Sequence, residues 1–537
     1  MSSLPINHST TLISLQSGQS GQAARASGSL PVTVDSPDSS PALLAVEQSP
    51  AARVSLSTSI HPASMGAIDV SPSSPPVYEK PSASVNYLRD RGEAYTGKAG
   101  ARASQNLMNE LSSLQHQKAP FRASPFLNQL GALSRETNLY SNEARSYRVP
   151  GDIAAQSFNP DFTGYAGPKR ESVGLTIHTK EGDIIQITLE HRKGESESLA
   201  FSFEVTGELS EQEQAALDKL AAKLGAVADE FFRTGSAELR GLGDIDSESI
   251  ESFNLSLSKP GGKDFVTFTY DYKLDEATQT RQLRGEDSFG YQFDISANLN
   301  GLVSNARSVA HQSIEQYLEL IRRAGDTQGT ESSSVRFMVD GLRSMLMLDS
   351  NRATPPLAQD TTEALLIGFD TGLPDFQASF NSPVIRNRGM PNQAAAMALT
   401  MGQKTRVEVR EDQLLVQQES FYELHNRGFK SLARGRSPNL EAGSYIYFSE
   451  HESGKTTRTL DIKAGQVRDL IVEQEHQRQY REKVFHNFVQ VDERKEQTDD
   501  RQLLNLLDQL HPQPAHQRHS SLIALLSSSR DNLATSN

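Results

Sequence analysis

Two runs of alternating residues joined by a short turn constrain the fold more than anything else in this chain. In "SVGLTIHT", at 172–179, Val173, Leu175 and Ile177 take every second position, and in "IIQITLEH", at 184–191, Ile185, Ile187 and Leu189 do the same. A period of two gives a strand one apolar face, and a helix cannot bury that pattern. The intervening "KEGD" has turn chemistry, with Gly182 free to take a positive φ. An antiparallel hairpin follows. "SLAFSFEV" adds a third strand through Leu199, Phe201, Phe203 and Val205.

The next stretch, "GELSEQEQAALDKL" at 207–220, is either a carboxylate cluster with chemistry to do or the start of a helix. Ser210 and Glu213 have the spacing of a capping box. Glu208, Glu211 and Glu213 lie at or before the first turn, where the helix dipole favours negative charge. Downstream, Leu217, Leu220, Leu224, Val227 and Phe231 recur at helical spacing, and Gly235 suits the stop. Burying those five side chains is worth roughly 7–15 kcal/mol gross. The cap accounts for the acids without any catalytic role.

"SFNLSLS" and "FVTFTYDYKL", joined by "KPGGK", predict two more strands, and "SFGYQFDI" another. A long helix is expected from Ser296, with Leu302, Val309, Ile314, Leu318 and Ile321 in its stripe, and a second from about Ser333. Residues 146–348 therefore read as an α+β domain, an antiparallel sheet with helices packed on one face.

The flanks read differently. Residues 1–145 are expected to be a disordered Ser/Pro/Ala-rich arm, with a helix near 104–116 carrying Leu107, Met108, Leu111 and Leu114. Within that arm, residues 1–80 hold only eight charged residues and one aromatic, Tyr78, too little to offset chain entropy by burial. Residues 349–400, with five prolines, are expected to be a linker. Residues 401–500 form a second module, strand-rich or extended. In it "SYIYFSEHESGKTTRTLDI" predicts a hairpin, and the stretch from Ala464 fits a long polar helix or an extended strand. Residues 501–537 are a polar tail with two short leucine-rich helices. Leu503, Leu506 and Leu507 would share one face, as would Leu522, Leu525 and Leu526. Such helices dock into a partner's groove or onto the chain's own core.

Composition removes whole classes of function. The net charge is −14, from 67 acids and 53 bases, which disfavours general affinity for nucleic acid or an anionic membrane. The chain lacks cysteine, so disulfides, thiolate nucleophiles and cysteine-ligated metals are excluded. No apolar run is long enough for a membrane helix. The first residues lack a basic n-region and a long apolar core, so the expectation is a cytoplasmic protein by default, with signal-less export as the alternative.

Motif searches fail at specific positions. "SEHESGKT" at 449–456 has Ser449 where a phosphate-binding loop needs glycine, and reads as a turn. "GLGDIDSES" offers Asp244 and Asp246 to calcium, but Ser249 and Leu255 stand where glycine and glutamate are needed. "SLSK" at 256–259 has no accompanying signature. His511, His516 and His519 cluster in a polar tail. No catalytic residue, cofactor or metal ligand is assigned, and the six tail leucines are the candidate partner-binding residues.

"LTIHTKEGDIIQITLEH", "FEVTGELSEQEQAAL", "ADEFFRTG" and "DIDSESIESFNLSL" together resemble a group of uncharacterised proteobacterial proteins, over about residues 170–260. The resemblance implies a bacterial source and carries no functional residue.

Three functional expectations result. The first is a non-enzymatic interaction or scaffolding protein, binding a protein partner through its tail; oligomeric state is open. The second is a hydrolase using paired carboxylates in a cleft on the 146–348 domain. The third is an exported substrate of a type III-like route, with an uncleaved Ser-rich amino terminus.

Overall fold

The computed structural model describes residues 83–90, 97–116, 119–149, 160, 162–163, 167–194, 196–239, 248–261, 264–275, 277–298, 307–346, 365–366, 368–433, 436–464, 466–508, 521–522 and 524–526. The expected disorder over 1–82, the Pro-containing 349–364, the Asp244/Asp246 loop and the three tail histidines lie outside them.

The alternating runs pair as expected. β3 (Lys169–Thr179) and β4 (Ile184–Lys193) set Val173 opposite Leu189, Leu175 opposite Ile187 and Ile177 opposite Ile185, all buried. Gly182 turns the chain at φ +100°. β5 (Glu197–Thr206) follows on the other side of β4.

In chain order the remaining strands are β1 (Ala83–Asp90), β2 (Leu139–Val149), β6 (Ile250–Gly261), β7 (Asp264–Asp275), β8 (Thr280–Asp287), β9 (Gln292–Asn298), β10 (Asp375–Asn381), β11 (Ile385–Arg386), β12 (Ala394–Arg410), β13 (Gln413–Lys430), β14 (Tyr445–Lys463), β15 (Gln466–His486) and β16 (Val489–Asn505). They form one sixteen-stranded antiparallel sheet in the order β1-β2-β5-β4-β3-β6-β7-β8-β9-β10-β12-β13-β14-β15-β16, with β11 paired to β12 off that path. The helices are α1 (Lys98–His116), α2 (Ser124–Leu127), α3 (Leu130–Ser134), α4 (Glu211–Thr234), α5 (Arg307–Gln328) and α6 (Ser332–Leu346).

At α4 the sequence reading holds. Ser210 Oγ accepts from the Glu213 N–H, the Glu213 carboxylate accepts from the Ser210 N–H at 2.9 Å, and Gly235 closes the helix in the left-handed region at φ +83°. The five stripe residues from Leu217 to Phe231 are buried. Phe231 of α4 meets Phe268 of β7 at 5.1 Å between ring centroids. Phe268 meets Phe337 of α6 at 4.6 Å, and Phe337 meets Phe293 of β9 at 4.9 Å. Gly341 of α6 lets Phe293 approach, since a Cβ there would lie 2.5 Å from the ring.

Several expectations are corrected. The arm to residue 145 contains β1, β2 and α1, and Leu107, Leu111 and Leu114 of α1 are buried. They join a buried cluster that also holds Tyr140 and Phe201, residues distant in sequence, which local composition does not reveal. The expected linker supplies β10, which pairs with β9 on one side and β12 on the other. "SYIYFSEHESGKTTRTLDI" is the single unbroken strand β14, not a hairpin. Hydrogen bonds from β13 and β15 on its two edges outweigh the turn preference around Gly454. The stretch from Ala464 is extended, as β15 and β16.

Candidate functional site

Five long strands, β12 to β16, lie side by side, and their register decides which side chains meet. Ala398, His425, His451, Gln479 and Gln497 stand directly opposite one another in one cross-strand row. Ala396, Arg427, Ser449, Arg481 and Lys495 form the next. Residues directly opposite share a sheet face, and so do residues two apart. Both rows therefore line one surface. An open groove of about 740 Å³ lies along them. Short side chains at Ala396, Ala398 and Ser449 leave the space, and longer basic and aromatic ones bound it.

The groove lining carries Arg427, Arg481 and Lys495 together with Glu450 and Glu496. Arg427, Arg481 and Lys495 occupy a single row, with Arg481 directly opposite Lys495. Like charges placed so are unfavourable unless an anion lies nearby. Glu493 supplies part of it, pairing with Arg481 and lying 3.8 Å from Lys495. In the neighbouring row the His425 and His451 rings stack at 4.3 Å, 9° from parallel. Glu423, two residues before His425 on β13, brings Oε1 within 2.9 Å of His425 Nε2 and 3.2 Å of His451 Nε2. The hydrogen bond from His425, with that from His451, holds the Glu423 carboxyl below its usual range. The three ligand atoms lie within 4.8 Å of one another. Two imidazoles and a carboxylate are a donor set suited to zinc or a similar transition ion, with room for further ligands on the open side.

On β14 the neighbouring residue Glu452 is buried and joins the sheet to α5. It accepts from Arg323 at 2.8 Å and from Tyr422 at 2.7 Å, with His476 Nε2 at 3.3 Å. Burial opposes its charge, but the Tyr422 and Arg323 interactions prevail and lower its pKa. This charged group is structural: it ties the strands beneath the groove to a helix.

A second concavity, of about 460 Å³, lies beside β3, β4 and α4. Buried His191 places Nδ1 2.5 Å from Glu171 and Nε2 2.9 Å from Glu197, with Phe121 stacked on its ring. Burial works against charging His191, yet the hydrogen bonds to Glu171 and Glu197 outweigh it and raise its pKa. The Glu197 carboxyl is lowered: burial would raise it, but the His191 hydrogen bond prevails. Two carboxylates do converge here. The imidazole fills the space between them where a hydrolytic water would sit, and Glu197 is shifted away from a general acid's range.

The predicted leucines are dispersed by the fold. Leu503 lies on strand β16 and is 71% exposed. Leu506 follows in a turn and is buried, with Leu507 half-buried beside it. The expected first helix is thus a strand and turn, because β15 offers this segment a ladder of hydrogen bonds. The second segment is helical over 521–522 and 524–526. Leu522 and Leu526 are buried with Leu506, Leu460, Leu470 and Phe369 in a core of their own, and Leu525 packs against it. The chain itself occupies these apolar faces.

The groove residues escaped the sequence reading. The usable signal was the alternation in "ESFYELHNRGFK" and "SYIYFSEHES", which would have set Glu423 and His425 near His451 once the two runs were paired as strands. No family model, curated protein or solved structure matches this chain at a significant level. Among the described residues, no helix is long and apolar enough to cross a membrane.

Proposed function

We propose that this protein is a non-enzymatic interaction protein that holds an elongated, acidic segment of a partner along the groove on β12–β16. In this reading the helices cover one face of the amino-terminal strands, and the long carboxy-terminal strands present the working surface. The observation that carries it is the basic row of Arg427, Arg481 and Lys495 across three paired strands, in a chain whose net charge is −14. A groove across several strands gives a partner a long, pre-organised contact, which limits the ordering cost of binding. Complementary charge provides specificity and a salt-dependent association rate.

The test is calorimetric titration of the full-length protein with a glutamate-rich peptide. Binding that weakens with salt and is lost in Arg427→Glu/Arg481→Glu is expected. No binding at low salt, or binding that the double variant leaves unchanged, overturns the reading. The hydrolytic alternative rests on Glu171 and Glu197, and the imidazole between them makes it the weaker one.

A further inference from the structure

The last strand of the sheet has one side without a partner strand among the described residues. Among the described residues β16 pairs with β15 alone, is exposed along most of its length and contains no proline. Its register with β15 is unbroken from Asp492 to Asn505. Leu506, in line with that register, donates its N–H to the Leu470 carbonyl at 2.9 Å. By the alternation of an antiparallel ladder, even-numbered residues here bond to β15, and odd-numbered ones, Gln497 among them, turn their N–H and C=O outward. A long regular edge of this kind is a template for another strand.

The charge order along β16 says which strand. Gln497 is the midpoint of Val489–Asn505. Read outward from it, Lys495 mirrors Asp499, Arg494 mirrors Asp500 and Glu493 mirrors Arg501, each pair of opposite sign. No two like charges occupy mirror positions. Further out Val491 mirrors Leu503, and both are exposed, at 55% and 71%. We propose that two copies of this chain join β16 to β16, antiparallel, about a two-fold axis at Gln497.

Register supports this pairing over its neighbours. Sliding one copy by two residues sets Lys495 against Arg501 and Glu496 against Asp500. Sliding it the other way sets Asp492 against Asp500 and Glu493 against Asp499. Both alternatives oppose like charges, which destabilises strand pairing. Edge charges commonly serve to repel other strands, and any single-sign set would do that. This set repels in the shifted registers and attracts in one. Within the chain, Asp499 and Asp500 have no cation within 4.0 Å among the described residues, and Asp499 receives only a 3.4 Å hydrogen bond from Gln477. The partner copy's Lys495 and Arg494 would meet them. The row ending at Gln497 would then run on into its symmetry mate, and the two grooves would become one surface across the axis.

Sedimentation velocity of the full-length protein tests the pairing. The wild type should dimerise in the micromolar range. Arg494→Glu or Asp500→Arg alone reverses one charge, and symmetry doubles the effect, so each should weaken the dimer roughly tenfold or more. Arg494→Glu/Asp500→Arg restores opposite signs and should recover the dimer. Both positions are exposed, and circular dichroism verifies that each variant is folded. A wild type that stays monomeric at every concentration overturns the proposal. So does a dimer indifferent to the single changes, or one that the double change does not rescue.

Discussion

Asp375 opens β10, the strand that joins the two halves of the sheet, and its carboxyl is badly placed for a charge. Its Oδ1 is buried without a hydrogen-bond partner. Burial pushes its pKa from 3.8 up to about 6; the nearby Asp370 carboxylate adds to the rise, and Thr405 and Lys404 oppose it. The folded state therefore holds a proton that the unfolded state releases. Asp375 contributes fully to stability below pH 3.8, and the contribution is lost as pH rises through about 6. A shift of that size corresponds to about 3 kcal/mol in all, of which about 1 kcal/mol is lost between pH 5 and pH 8. Asp375→Asn keeps the shape and removes the titration. Urea unfolding of wild type and variant at a series of pH values isolates the term, since other groups titrate alike in both proteins. The variant should gain on the wild type as pH rises, by about 1 kcal/mol from pH 5 to pH 8. A difference between the two that is flat with pH would refute the argument.

Two further outcomes follow from buried groups. His191→Gln leaves Glu171 and Glu197 facing each other and should cost roughly 3 kcal/mol near pH 6. Because the folded pKa of His191 is raised, that penalty is largest below pH 6.5 and shrinks as pH rises through the raised value; chemical denaturation at pH 6 and pH 9 compares the two. Leu526→Ala should lower stability by about 2 kcal/mol or more, as a core truncation does, whereas Leu503→Ala on the exposed edge should stay within about 0.5 kcal/mol. Equal effects in thermal unfolding would show that the second core is not as described.

Much of the fold was legible where periodicity and local chemistry agree. Val173 to Leu189 read as a hairpin because alternation and the Gly182 turn point the same way, and α4 was framed by Ser210, Glu213 and Gly235. What escaped depends on pairing between distant segments. Around Gly454 local turn chemistry argued against a strand, yet Tyr422 and His476 flank it across two ladders. Leu503 and Leu506 read as neighbours on a helix face, but β15 drew one into the sheet edge and placed the other in a core. His425 and His451 became neighbours only when β13 and β14 took their register. Net charge was a poor guide to the groove, because an acidic total is compatible with one basic row. Which carboxylates approach each other was not legible: Glu171 and Glu197 meet only through His191, which lies between them in the folded chain.

β10 has a mechanical consequence. It is seven residues long and laced to a neighbour on each side, at the place where the prolines suggested slack. Tension applied to the carboxy-terminal strands would pass through the ladders of β10 into β9. The described strands have no tether at that point to absorb it.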